Sequence, residues 1–523
     1  MTRNPGGGVV IASFTNCTIC KWNIEISQVT FIENVIGITN PSGLQLGGNL
    51  LVLNIGIRFS TTPTHYLRIS NCLFQLGVAR IGGGACIVGI FFVDGFDDVM
   101  NETHEWISIL HSHFIDNTGI VGGGLMVITE YFPSSSELFQ LNALISTAHV
   151  SELFQLNAFV GTVHIQSTTF TGNAAWAGSA VFVTQPKPSS LAAGGQQQFI
   201  LENTSFRHNF ENLVTNVDFP GRESTVYFMS IQNVTISNCE FIHNNGTALT
   251  AEQSNIIFTG DVLFRENWGT SGGALRLFYS FQFLLPQANL VFLNNHGKRF
   301  GGAIYYLLHL ENYVIGNNCF MTILAPPSND HLTPEDSGIS VEFINNTAIE
   351  AGDAMYGTKV QADVCTTIYQ QIETESSDSM LNFTGQTGSS VVASVAQRVC
   401  FCEYGQHNCT RNYQSLEAFP GQDFTISVVA VGQTEGTVPG IIHAKIKGNT
   451  ATMSEFQESQ KTSRYCTDIT YAVFSKKPLE IIELSVASVQ QLRSFTTALP
   501  LPQEVFVNLL LCPWGFTVMK ATP

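Results

Sequence analysis

The chain has 523 residues, long enough for two or more domains. Charged residues make up 12%, about half the roughly 25% usual for soluble proteins, while Phe alone takes 38 positions, which suits a long strand core with neutral polar loops. A net charge of -17 leaves little to neutralise phosphates and argues against nucleic acid as a partner.

Residues 1–8 hold a polar start and a glycine run, with no signal-peptide pattern, and Gly6 to Val10 read as the second half of a repeat. The expectation is a fragment that begins inside an array, its targeting and anchoring parts lying elsewhere. No run of about 18 uninterrupted apolar residues offers a membrane span. Downstream, F-x-x-N recurs from Phe31, Phe114, Phe170, Phe206, Phe241, Phe264, Phe292 and Phe343, its asparagines being Asn34, Asn117, Asn173, Asn209, Asn244, Asn267, Asn295 and Asn346. Phe74 starts a copy that has lost its asparagine. A glycine half follows most copies: Gly82 to Ala85, Gly122 to Leu125, Gly178 to Ala180, Gly272-Gly273-Ala274, Gly301-Gly302-Ala303 and Gly352 to Ala354. The two densest copies lie 292 minus 264, or 28, residues apart, within the range of solenoid repeats.

One repeat has a simple physics. Val234, Ile236, Cys239 and Phe241 alternate with mostly polar residues, the period of a strand burying one face. So short a strand buries that face only by stacking on the next copy, which would pile successive Phe side chains into an aromatic ladder. The asparagine is expected at a corner, its amide bonding free backbone groups and its own backbone tolerating the left-handed conformation. The glycines suit a second corner needing positive φ or close backbone approach, and the small residue after them points inside. Repeated at roughly 25 residues, strand and corner make a parallel β-helix.

We place that helix over 1–360, with early rungs at 29–46, 67–88 and 107–128 and later ones at 163–183, 199–306 and 339–356. Loops bulge at 58–66, 95–105, 186–198 and 307–337. A heptad, E-L-F-Q-L-N-A, occurs at 137–143 and again at 152–158, as a duplication inside a loop. The Ser-rich stretch 361–399 reads as cap and linker. Strand-like segments at 424–431, 441–447, 470–474, 481–489 and 505–511, with Pro-Gly turn signals before the first two, read as a small β-sandwich over 400–523.

The pairing of F-x-x-N with G-G-A-[IL] resembles the repeats of the chlamydial polymorphic membrane proteins, surface adhesins whose passenger is a right-handed parallel β-helix. Similar repeats occur in large extracellular proteins of simple animals, where the helix precedes a module ending in a C-P-P-G-F-like sequence. Cys512-Pro513-Trp514-Gly515-Phe516 matches that ending except at Trp514. The resemblance covers about 6–357 and implies a right-handed helix, a non-catalytic adhesive or structural role at the cell surface, and a protein or glycan ligand.

Twelve cysteines leave the compartment open. Cys72, Cys86 and Cys239 occupy apolar strand positions and read as buried thiols. Cys17-x-x-Cys20 has no second pair for zinc and no βαβ pattern for redox work. Cys365, Cys400, Cys402, Cys409, Cys466 and Cys512 read as extracellular disulfides, with connectivity open. Acceptor sequons stand at Asn16, Asn101, Asn203, Asn233, Asn245, Asn345, Asn382 and Asn408, only a few more than chance.

Parallel β-helices also host polysaccharide lyases and glycoside hydrolases, so those enzymes are the alternative. Asn216-x-Asp218 spells one element of such a site and Asp97-Asp98 another, but the basic and histidine partners are missing. Asp261 and Asp353 are scattered, and His113, His208 and His243 fall beside the F-x-x-N corner, where exposed roles are expected. No residue is assigned to catalysis, to a metal or to a cofactor.

Overall fold

The computed structural model describes residues 8–15, 23–35, 46–57, 66–92, 105–132, 162–184, 198–211, 223–231, 233–280, 282–307, 319–324, 338–349 and 352–357, and beyond them mainly the strands of 361–510. Every regular element among these residues is a strand.

The coil around Phe170 shows how sequence becomes structure. In Thr162–Gln166 the residues Val163 and Ile165 point inward and their polar neighbours outward. Ser167 then turns the chain at φ 50°, and the Thr168 hydroxyl donates to the Gln166 carbonyl over 2.9 Å. Thr169–Thr171 buries Phe170, a second turn follows at Gly172, and Ala174–Ala175 form the next side. A third corner at Gly178 leads into Val181–Thr184, which is buried throughout. Each side pairs in parallel with the next coil, placing Phe170 on Phe206, Ala174 on Phe210 and Val181 on Val226. The result is a parallel β-helix.

Coil length is not constant. Successive ladder asparagines are 23 residues apart at Asn244 to Asn267 and 56 apart at Asn117 to Asn173. The extra residues fall between a long strand and the next coil, as between Leu125–Phe132 and Thr162–Gln166. The duplicated heptad lies in that interval, outside the described residues. Loop-closure entropy grows slowly with length, so such insertions cost a solenoid little while the rungs on either side still stack.

The side after the glycine corner is one sheet of eleven strands, and it departs from the half-buried pattern. Leu50, Val52, Leu125 and Val127 join the main core, while Leu51, Cys86, Met126, Phe182 and Tyr227, on the opposite face, are buried in a second cluster with Leu46, Ile81 and Val121. Runs such as LLVLNIGI and ACIVGIFF are near-continuously apolar for this reason.

The helix also extends beyond 360. Gln361–Ile368, Leu381–Thr384 and Val392–Ser394 pair in parallel with Cys319–Leu324, Ser340–Ile344 and Met355–Gly357, so the stretch read as cap and linker supplies one more coil. Phe383 lies in register with Phe343. Its motif is F-T-G-Q, and without the asparagine the copy is not visible in sequence. After 394 the chain forms two mostly antiparallel sheets, one built on Arg398–Cys402, Asp423–Val431 and Thr467–Ser475, the other on Gly440–Ile446, Ile481–Ser488 and Gln503–Leu509.

Candidate functional site

The repeated residues build two internal columns. Phe31, Phe74, Phe114, Phe170, Phe206, Phe241, Phe264, Phe292 and Phe343 stack with ring centroids 4.6–5.1 Å apart and planes within 6–10° of parallel. The separation follows from the spacing of strands in a sheet, about 4.8 Å, which brings in-register rings into face-to-face contact.

Beside them runs a column of asparagines. Each of Asn117, Asn173, Asn209, Asn244, Asn267 and Asn295 donates from Nδ2 to the Oδ1 of the next over 2.9–3.0 Å, and its backbone N–H donates to the same oxygen over 2.9–3.1 Å. The second Nδ2 proton goes to the carbonyl of the Phe one coil earlier, as from Asn244 to Phe206 over 3.1 Å, and Asn346 closes the series on Phe292 at 2.8 Å. One side chain thus satisfies two donors and two acceptors, which explains why Asn recurs: Asp offers no donor and Ser too short a reach. The asparagine itself does not take the left-handed conformation. Positive φ falls on the residue before it, including Asp116, His208, His243, Glu266, Asn294 and Asn345, because the turn must come first if the amide is to point inward.

Where Gly77 replaces the asparagine, the column is repaired from another corner. Asn49, in the place taken by Ala274 or Ala303 in later coils, accepts from Asn34 Nδ2 at 2.8 Å and donates to Asn117 Oδ1 at 3.1 Å. Gly77 is required there, since a Cβ on it would stand 2.2 Å from the Gly83 carbonyl oxygen and 2.5 Å from Asn49 Nδ2. The signal for this repair was G-G-N-L at 47–50, where the other copies carry Ala or Gly at the third position. At the glycine corner the pair divides the work. Gly272 supplies φ 74°, whereas Gly273 is needed because a Cβ would meet the Gly302 carbonyl at 2.5 Å; Gly301 and Gly302 repeat the arrangement.

The outward positions do not repeat. His208 and His243 stack at 5.2 Å, His243 Nδ1 lies 2.8 Å from Glu266, and Arg207 pairs with Glu240 at 2.6 Å. Both histidines are exposed, as is His113, whose Nδ1 lies 2.7 Å from the Thr169 hydroxyl. One coil position further, Phe210, Asn245, Trp268 and His296 form a row in parallel register, with Phe210 44% and Trp268 52% exposed.

The acidic residues considered for catalysis are not brought together. Asp261 accepts from Asn289 Nδ2 at 3.0 Å, and Asp353 is buried at a glycine corner, accepting from the Ala348 N–H. Asp97, Asp98, Asn216 and Asp218 lie outside the described residues. A pairing invisible in sequence involves Glu223 and Arg276: the buried guanidinium donates to the Glu223 carbonyl at 3.1 Å and to the Thr250 hydroxyl at 3.3 Å, with Glu223 Oε1 at 3.9 Å. Glu211 lies within the field of that pair. Burial first, and Glu223 second, push its carboxyl up, against the pull of Lys298 and Arg276. Among the described residues no group of three or more His, Cys, Asp or Glu side chains is placed to hold a metal.

Cys72, Cys86 and Cys239 are free and buried, and burial pushes the thiols of Cys86 and Cys239 up to about 12 and that of Cys72 upward. At pH 8 the native protein should therefore resist alkylation at these three for hours, while the denatured chain labels within minutes. Equal labelling rates in the two states would contradict their placement. Cys400 and Cys402 are disulfide-bonded and buried with Val429. Cys365 and Cys409 are described in backbone only, and Cys466 and Cys512 lie outside the described residues. Of the sequon asparagines, Asn203, Asn245, Asn345 and Asn382 are exposed and Asn233 is half-buried; Asn16, Asn101 and Asn408 lie outside the described residues.

Fold and columns together define a parallel β-helix repeat protein whose shared residues are spent on its own interior. The chain matches no known family model, no curated protein and no solved structure. Among the described residues no helix is long and apolar enough to cross a membrane.

Proposed function

We propose that the chain is a non-catalytic segment of an extracellular or cell-surface protein, a rigid rod that presents its outer faces for adhesion or recognition. Its ligand class is a cell-surface protein or glycan. Kinship with the polymorphic membrane protein repeats, and with it right-handed winding, belongs to the same proposal. The supporting observation is a division of roles within each coil. Inward positions recur as Phe, Asn and Gly, while the outward residue one step before each ladder asparagine is in turn Glu33, Asp116, Gly172, His208, His243, Glu266, Asn294 and Asn345. A scaffold with a varied surface needs that arrangement, whereas a catalytic site would need one outward cluster of matched groups.

Polysaccharide cleavage has one observation behind it, the raised carboxyl of Glu211 close to the Glu223–Arg276 pair, since a general acid needs such a shift. Two assays separate the readings. Beads coated with the chain should adhere to cultured animal cells and be displaced by excess free chain. A panel of acidic and neutral polysaccharides should stay uncut; turnover abolished by Glu211→Gln would replace the adhesive reading with the enzymatic one.

A further inference from the structure

We infer that Asn245 carries an N-linked glycan whose first sugar lies against the exposed rings of Trp268 and Phe210. This rests on the extracellular reading above.

The placement follows from register. Asn245 directly succeeds the buried ladder residue Asn244, and its sequon is completed by Gly246 and Thr247. In the leanest part of the helix it pairs in parallel with Phe210 on one side and Trp268 on the other. In-register neighbours stand about 4.8 Å apart, so the Asn245 side chain projects between two aromatic side chains, each one rung away. Both rings are half in solvent, and His296 continues the row, its ring 4.7 Å from that of Trp268. A pyranose presents one face of C–H groups, which suits an aromatic face, and a hydroxyl rim, which keeps its contact with water. Asn203, Asn345 and Asn382 are also exposed, but Asn203 and Asn345 sit at left-handed corners with polar or small neighbours, and no exposed aromatic flanks them in register.

The attachment requires a polyprenyl-pyrophosphate-linked oligosaccharide as co-reactant. Asn245 Nδ2 forms a bond to the anomeric carbon of the terminal N-acetylglucosamine, the bond from that carbon to the pyrophosphate oxygen breaks, and the lipid pyrophosphate leaves with the electron pair. Nδ2 gives up one proton to base. Because Thr247 is buried in the folded chain, transfer occurs before this coil closes.

The test uses the full chain behind a secretion leader in animal cells. Enzymatic release in heavy-oxygen water marks every formerly glycosylated asparagine as a labelled aspartate, and most molecules should be marked at Asn245. Trimming the glycan from the folded protein should lower Tm by about 2 °C and shift tryptophan emission to longer wavelength. Trp268→Ala should keep the occupancy and lose both responses; Phe210→Ser, a milder change on the other side, should reduce the Tm response. An unmodified Asn245 beside modified Asn203 or Asn345 would overturn the inference and leave the extracellular reading standing. So would a Tm response unchanged in both variants. Surface labelling of the natural full-length protein tests location separately: its retention inside the cell would sink the extracellular reading while leaving the stacking result on the secreted chain intact.

Discussion

Asn244→Ala is expected to cost about 3–5 kcal/mol, among the largest effects any single polar substitution in this chain can have. The Asn244 Oδ1 accepts from both the backbone N–H and the Nδ2 of Asn209, and its Nδ2 donates to Phe206 and Asn267. Alanine leaves the Asn209 N–H without its partner and takes one hydrogen bond each from Asn209 Nδ2 and the Phe206 carbonyl, all in a fully buried column where an unmet donor costs about 1–3 kcal/mol. Asn244→Asp discriminates further. It preserves the shape and the acceptor but turns two donor contacts into opposed oxygens, and it buries a charge. We expect it to be at least as destabilising as alanine at pH 7 and less so at pH 3, where the carboxyl is protonated and can donate once. Urea unfolding followed by circular dichroism gives both values. A loss below about 1 kcal/mol for the alanine variant would mean that the column is a by-product of the coil and not a support for it.

Phe241→Ala should cost a comparable 3–5 kcal/mol by a different route. Phe241 is fully buried, with Phe206 and Phe264 each 4.7 Å away, so alanine opens a cavity and removes two stacking contacts together. The damage should remain local. A solenoid is held by contacts between neighbouring coils, so opening one rung weakens the two interfaces it shares and leaves distant coils intact. Hydrogen exchange should therefore accelerate in Gln198–Glu202, Asn233–Ile242 and Asn255–Arg265 while Leu125–Phe132 keeps its protection. Uniform acceleration along the helix would show a single cooperative unit and contradict a nearest-neighbour account.

The two substitutions also show why so much was legible in sequence. A column made by like-on-like contact requires the same residue type at every level, and repetition is what a single sequence displays best. Phe264-Arg265-Glu266-Asn267 and Phe292-Leu293-Asn294-Asn295 declare the Phe and Asn columns by identity alone, and Gly272-Gly273 and Gly301-Gly302 declare the corner. Where identity lapses, the signal is lost though the structure persists: Phe383 continues the register without an asparagine, and Gly77 leaves a gap that Asn49 fills from a different corner.

The sequence by itself therefore determined the all-β solenoid, the inward residues and the corners, because these depend on local period and on recurrence. Only the tertiary structure decided which residues share a face across coils, since coils of 23 to 56 residues carry no fixed spacing from one rung to the next. The meeting of Asn49 with Asn117, the second buried face through Leu51, Met126 and Phe182, the Glu223–Arg276 pair and the row from Phe210 to His296 are all of that kind. Each is set by hydrogen-bonded register between strands, and register is fixed by how the coils stack.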